Sequence, residues 1–179
     1  MIVYYHSHSM TDQSKSTELA VWRLYLKPDL NEMVEVSQLL VEEYRGRSEA
    51  FTDFSFMVFP AAKAFEGFLK QYFMDLEILP HKVLTSKKFR IGRSLNPDLP
   101  QRLRDKYWLY DDVVRACTPE IARQLWETWL ECRNQVFHYF PNEPKQLSYS
   151  EAEAKIDQIF EVVSQAVSCK IDYLPKAGE

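Results

Sequence analysis

Arg133 and His138 stand five residues apart in the run Arg133-Asn134-Gln135-Val136-Phe137-His138, near the end of an aromatic-rich amphipathic segment from Glu120 to Phe140. A guanidinium meets phosphate charge with N–H donors in a fixed fork, and an imidazole exchanges protons near neutrality. Brought to one phosphodiester, the pair would suffice to cleave RNA with neither metal ion nor other cofactor, so none is expected. Asn134 lies one helical turn before His138 and can hold the ring in one tautomer. An unbroken helix, however, would point Arg133 and His138 about 140° apart. They can share a phosphate only if the helix loosens before Pro141 or if two protomers combine their motifs.

A carboxylate completes the set. From Phe59 onward, Ala62, Phe65, Leu69, Tyr72, Phe73 and Leu76 recur at helical spacing, and Glu66 falls on the same side as these apolar residues. A lone glutamate on a core-facing stripe either reaches to the rim or pairs with a cation, and Arg133 is the partner expected here. Further along, His81 to Lys106 carries Lys82, Lys87, Lys88, Arg90, Arg93, Arg102, Arg104 and Lys106 against only Asp98 and Asp105, in a chain of net charge −4. With Phe89, Tyr107 and Trp108 close by, cations and stacking surfaces alternate as a single RNA strand requires. Lys87, Lys88, Arg90 and Arg93 are the RNA-contacting candidates. The overall acidity confines any such contact to this patch.

The elements that must position these groups are helices. Four glycines in 179 residues are few, and nine prolines fall mostly between long blocks free of both breakers. Helices are expected over Ser16–Leu26, stopped by Pro28, and over Leu30–Tyr44, where Met33, Val36, Leu40 and Tyr44 share a stripe and Gly46 supplies the stop. A third lies within Asp53–Leu79, starting or kinking near Pro60. Thr118-Pro119-Glu120 is a strong start for the motif helix, with an N-cap threonine, proline in the first turn and an acid after it. Its stripe is Ile121, Leu125, Trp129, Cys132 and Val136. A last helix runs from about Ser150 to Ile171, with Ser150 and Glu153 as a capping box and Ala154, Ile156, Ile159, Phe160, Val163 and Val167 turned inward.

An apolar fraction of 46% over this length supports one core, so a single all-α domain of five to six helices is expected over residues 17–172. Residues 1–16, with an isolated His6-x-His8 pair and a second potential start at Met10, read as a disordered tail, and 173–179 as a C-terminal tail. Cys117, Cys132 and Cys169 are odd in number and lack Cys-x-x-Cys spacing, so neither a disulfide framework nor a zinc site is expected, and a reducing cytoplasm fits. No run is long enough for a membrane span.

Arg133-Asn134-x-x-x-His138 in an all-α setting resembles the Arg-polar-x-x-x-His signature of the HEPN superfamily ribonucleases. Phe59-Pro60-Ala61-Ala62-Lys63-Ala64-Phe65-Glu66-Gly67-Phe68-Leu69-Lys70 and Phe89-Arg90-Ile91-Gly92-Arg93-Ser94-Leu95-Asn96 are similar to segments of the HEPN toxin domain in the RNase LS family. The likeness covers about Thr52 to Ile171. It does not extend to the additional N-terminal domains usual in that family, for which 179 residues leave no room. The resemblance implies a metal-independent endoribonuclease toxin of a toxin–antitoxin or phage-defence system. It would be a homodimer with facing motifs, RNA as its substrate and an antitoxin protein as its partner. His138 would be the acid–base group, Arg133 the phosphate-charge stabiliser, Glu66 its orienting carboxylate and Asn134 a supporting residue. The competing expectation is a non-catalytic HEPN-like binding module, in which these residues hold a nucleotidyltransferase or antitoxin interface.

Overall fold

Pro28 begins a helix as well as ending one. The structure, a computed structural model, describes residues 21–84, 86, 89–139, 141 and 145–173. A helical turn at 21–25 (α1) bends at Leu26, and Pro28 then opens α2, Pro28–Tyr44, with Asp29 in the first turn. There follow α3 (Ser55–Asp75), the single turns α4 (His81–Leu84) and α5 (Ile91–Ser94), a 3-10 turn at Gln101–Leu103, and α6 (Tyr110–Ala116). The motif segment is α7 (Pro119–Thr128) continued by a π-helical turn, Trp129–Asn134, and α8 (Tyr149–Tyr173) closes the chain. No strand occurs among the described residues, so the all-α expectation holds. No helix among them is long and apolar enough to cross a membrane. The expected tails, with His6, His8 and Met10, lie outside the described residues, apart from Tyr173, which still belongs to α8.

The central helix is α3, which packs on both α2 and α8 and buries Phe65, Phe68, Leu69, Tyr72 and Phe73 completely. Gly67 permits the close approach of α2, because a Cβ there would collide with Leu30 Cδ2. The buried line of α2 is Leu30, Val34 and Ser37, while Val36 faces solvent. The predicted stripe was therefore rotated, and a serine occupies a core position. It meets the turn around Pro60, which sits inside α3 without breaking it. Proline supplies no N–H and its ring crowds the carbonyl one turn back. At this turn the Ser37 hydroxyl accepts from Ala61 N–H at 2.8 Å and donates to Met57 O at 3.2 Å, the two groups that an uninterrupted ladder would join directly.

Two local expectations shift. The capping box of α8 is Ser148 with Glu151, whose carboxylate accepts from Ser148 N–H at 2.8 Å, and not Ser150 with Glu153. Both pairs fit the same spacing rule. Ala152, not the expected Ala154, faces inward. The expectation of no disulfide is overturned. Cys117, after α6, and Cys169, on α8, form a disulfide across 52 residues of sequence, their Cα atoms 6.0 Å apart. Pairing at such separation leaves no trace in local spacing, and the cysteine usage no longer favours a reducing compartment. Cys132 is free and buried, and burial pushes its thiol up to about 12. Thiol titration without reductant is expected to find no reactive thiol in the native protein near neutral pH and one after unfolding. Three reactive thiols in unreduced, unfolded protein would disprove the bridge.

Candidate active site

Thr118 caps α7 by accepting from Ile121 N–H at 3.2 Å, and Ile121, Ala122 and Leu125 carry the helix along the core to Trp129. There the helix widens. Gln135 N–H donates to Leu130 O five residues back, at 2.9 Å, the signature of a π turn. Three neighbours grip this turn. On the α8 side, the Cys132 thiol donates to Gln158 Oε1 at 3.2 Å and Gln158 Nε2 donates to Glu131 at 3.3 Å. On the α5 side, the Trp129 indole sits against Gly92. On the α3 side, an Arg133 Nη donates to Glu66 Oε2 at 3.2 Å, bridging 67 residues of sequence. Arg133 lies over the residue four before it, with its guanidinium carbon 4.9 Å from the Trp129 ring centroid.

Glu66 is held by two cations, because Lys70 Nζ donates to its other oxygen at 3.0 Å. Burial raises the carboxyl's affinity for its proton, but Lys70 and then Arg133 outweigh this and hold it below the ordinary glutamate range. The side chains of Arg133 and Glu66 remain 37% and 31% exposed, so the pair itself stabilises the fold by no more than about 1 kcal/mol. Because the folded-state value is lowered, that contribution is present above the free glutamate range and is lost as pH falls through the lower, folded value. A carbon-detected NMR titration is expected to place the Glu66 midpoint below that of solvent-exposed glutamates, with Arg133→Ala and Lys70→Ala each moving it upward. A midpoint unmoved by either substitution would contradict the pairing.

The helix ends at Asn134, with turn residues following, as the alternative of a loosened end requires. His138 Nε2 lies 3.0 Å from Asn134 Oδ1. An amide oxygen only accepts, so Nε2–H donates and the lone pair of the neutral ring is left on Nδ1. Within one chain, then, Glu66 fixes Arg133 and Asn134 fixes His138. Around them Phe137 meets Phe59 of α3 edge to face, with ring centroids 5.6 Å apart, and Tyr139 is 80% exposed. Phe140 lies outside the described residues.

The expected RNA patch is rearranged. Lys87 and Lys88 lie outside the described residues. Arg90 is exposed and donates to Phe89 O, whereas Arg93 is engaged within its own loop, donating to Leu103 O at 2.6 Å and pairing with Asp105 at 3.4 Å. Arg104 lies 3.8 Å above the Trp108 ring and donates to the Leu99 and Pro97 carbonyls. Two of these cations, Arg93 and Arg104, therefore shape a loop that backs the π turn. Sequence reasoning missed Lys70, although its position four residues after Glu66 was a usable signal. It also missed Gly92 and Gln158, whose roles arise only from packing.

A separate cleft of about 620 Å³ opens between α2 and α8, floored by Val41, Ile156 and Phe160 and rimmed by Glu153, Asp157 and Glu161. Burial and those two glutamates raise the Asp157 carboxyl. It shares no residue with the Glu66–Arg133 cluster, and its acidity is unsuited to a phosphate. Comparison with known protein families, with curated proteins and with solved structures found no match. Fold and site together define an all-α protein with a carboxylate-anchored arginine and an amide-anchored imidazole on one π-helical turn and its exit.

Proposed function

We propose that the chain is a HEPN-type endoribonuclease that cleaves RNA through attack of a ribose 2′-hydroxyl on the adjacent phosphorus. The observation that carries this reading is the separate anchoring of Arg133 by Glu66 and of His138 by Asn134, within six residues of each other. The 2′-oxygen–phosphorus bond forms as the 5′-oxygen leaves, giving a 2′,3′-cyclic phosphate and a 5′-hydroxyl. One His138 takes the 2′ proton on Nδ1, and a protonated His138 supplies the proton to the leaving oxygen. Arg133 turns from Glu66 to the charge building on the phosphoryl oxygens. Two acid–base groups are needed at once, which supports a homodimer with facing motifs.

The exposed face of α3 favours a single RNA strand as substrate. Phe59, Lys63, Glu66 and Lys70 lie within a sector of about 60° and extend over roughly 16 Å. A base can stack on the exposed Phe59 at one end, while Lys63 faces solvent for the backbone. A toxin or phage-defence role, with an antitoxin partner and cytoplasmic action, accords with an activity that must be restrained in its host. Incubating purified protein with mixed transcripts in a chelator, then mapping ends, tests the reading. New 2′,3′-cyclic phosphate termini are expected, and intact transcripts across varied sequences would overturn it.

A further inference from the structure

Gly92 lies on α5, a single turn held at several points. Ile91 and Leu95 are buried, Ser94 O accepts from Leu109 N–H at 2.8 Å, and Arg93 ties the turn to Leu103 O and Asp105. What faces the π turn from this support is a residue without a side chain. A Cβ built on Gly92 would stand 2.7 Å from Trp129 Nε1 and within 3.6 Å of Cδ1 and Cε2. The first distance is closer than carbon and nitrogen tolerate without bonding. Trp129 has little room to yield, being only 6% exposed and packed into the core. Its ring also carries the Arg133 guanidinium, which in turn reaches Glu66 at 3.2 Å.

We propose that Gly92 is a positioning residue for Arg133. Its bare backbone seats the Trp129 indole, and the seated indole sets where the guanidinium lies. The path runs from a rigid loop through one aromatic ring to one charge, and each link is a direct contact. It gives a physical reason for a glycine inside a helical turn, where glycine otherwise weakens the helix. The basic loop then serves the site by holding a wall behind it, beyond whatever its cations contact directly.

The kinetic readout rests on the ribonuclease reading, whereas the spectroscopic one does not. Gly92→Ala is expected to lower kcat by about tenfold or more with KM changed less than threefold, because misplacement of a reacting group by about 1 Å is costly. In the same protein the Arg133 Nε–H resonance shifts, since it samples the ring current of Trp129. Adding Trp129→Phe removes the atom that collides with the new methyl and keeps an aromatic face beneath the arginine. The double variant is expected to regain most of kcat and to place the Arg133 resonance where Trp129→Phe alone places it, the two sharing one aromatic ring. Trp129→Leu, which leaves Gly92 intact, is expected to reproduce the loss of kcat and serves if Gly92→Ala does not fold. An unchanged Arg133 resonance in Gly92→Ala, or a double variant no better than the single one, would overturn the proposal. If wild-type protein cuts no RNA while the resonance moves in Gly92→Ala and the double variant matches Trp129→Phe alone, the positioning stands and the nuclease reading fails.

Discussion

Arg133→Ala is expected to slow RNA cleavage by about 10²- to 10³-fold in single-turnover assays, the loss typical of one charge-stabilising donor in an active site. His138→Ala is expected to cost roughly 10²- to 10⁴-fold, as removal of an acid–base group does. Neither should unfold the protein. His138 is exposed, and Arg133 leaves behind a carboxylate that still has Lys70 on its other oxygen. The double variant should be little worse than the poorer single one, because the two groups act on one phosphate. Arg133→Lys should not restore the rate, since a point charge does not reproduce the planar fork. Retention of cleavage within about threefold of wild type in a folded Arg133→Ala protein would exclude the arginine from the chemistry.

Ser37→Ala carries the second large expected effect, and on stability. Removing one hydroxyl takes a hydrogen-bond partner from both Ala61 N–H and Met57 O where serine is fully buried. Two such groups cost about 2–4 kcal/mol together, which for a chain of this size lowers Tm by roughly 5–15 °C. Pro60→Ala in the same background should recover part of the loss, because the freed turn can close its own ladder. Additive losses from the two substitutions would show that serine and proline are not coupled. The region affected is the turn of α3 just ahead of Glu66, so a Ser37 variant should also loosen the Arg133 contact.

Much of the helix plan could be read from residues that act on their immediate neighbours. Thr118 and Pro119 announced α7, Gly46 followed α2, and the apolar spacing of α3 located its buried side. Glu66 stood out because its spacing set a carboxylate beside the apolar stripe; the structure puts it at the border of that stripe, 31% exposed, where Arg133 reaches it as expected. What could not be read depends on groups far apart in the chain. Nothing near Pro60 reveals that a hydroxyl from α2 will repair its turn, and nothing near Cys117 reveals Cys169. The partners of the π turn likewise come from three elements distant in sequence, as the Trp129–Gly92 fit illustrates. The capping box failed for a simpler reason, two overlapping matches to one spacing rule.

The two-handed grip on Glu66 has a consequence for how substrate would arrive. An incoming phosphate competes with the glutamate for Arg133, and in most ion pairs the deserted partner would be left bare. Here the second cation is already in contact, so the guanidinium can swing away without stranding a charge. The glutamate thereby acts as a berth, keeping the arginine aligned when no strand is bound and letting it go when one is.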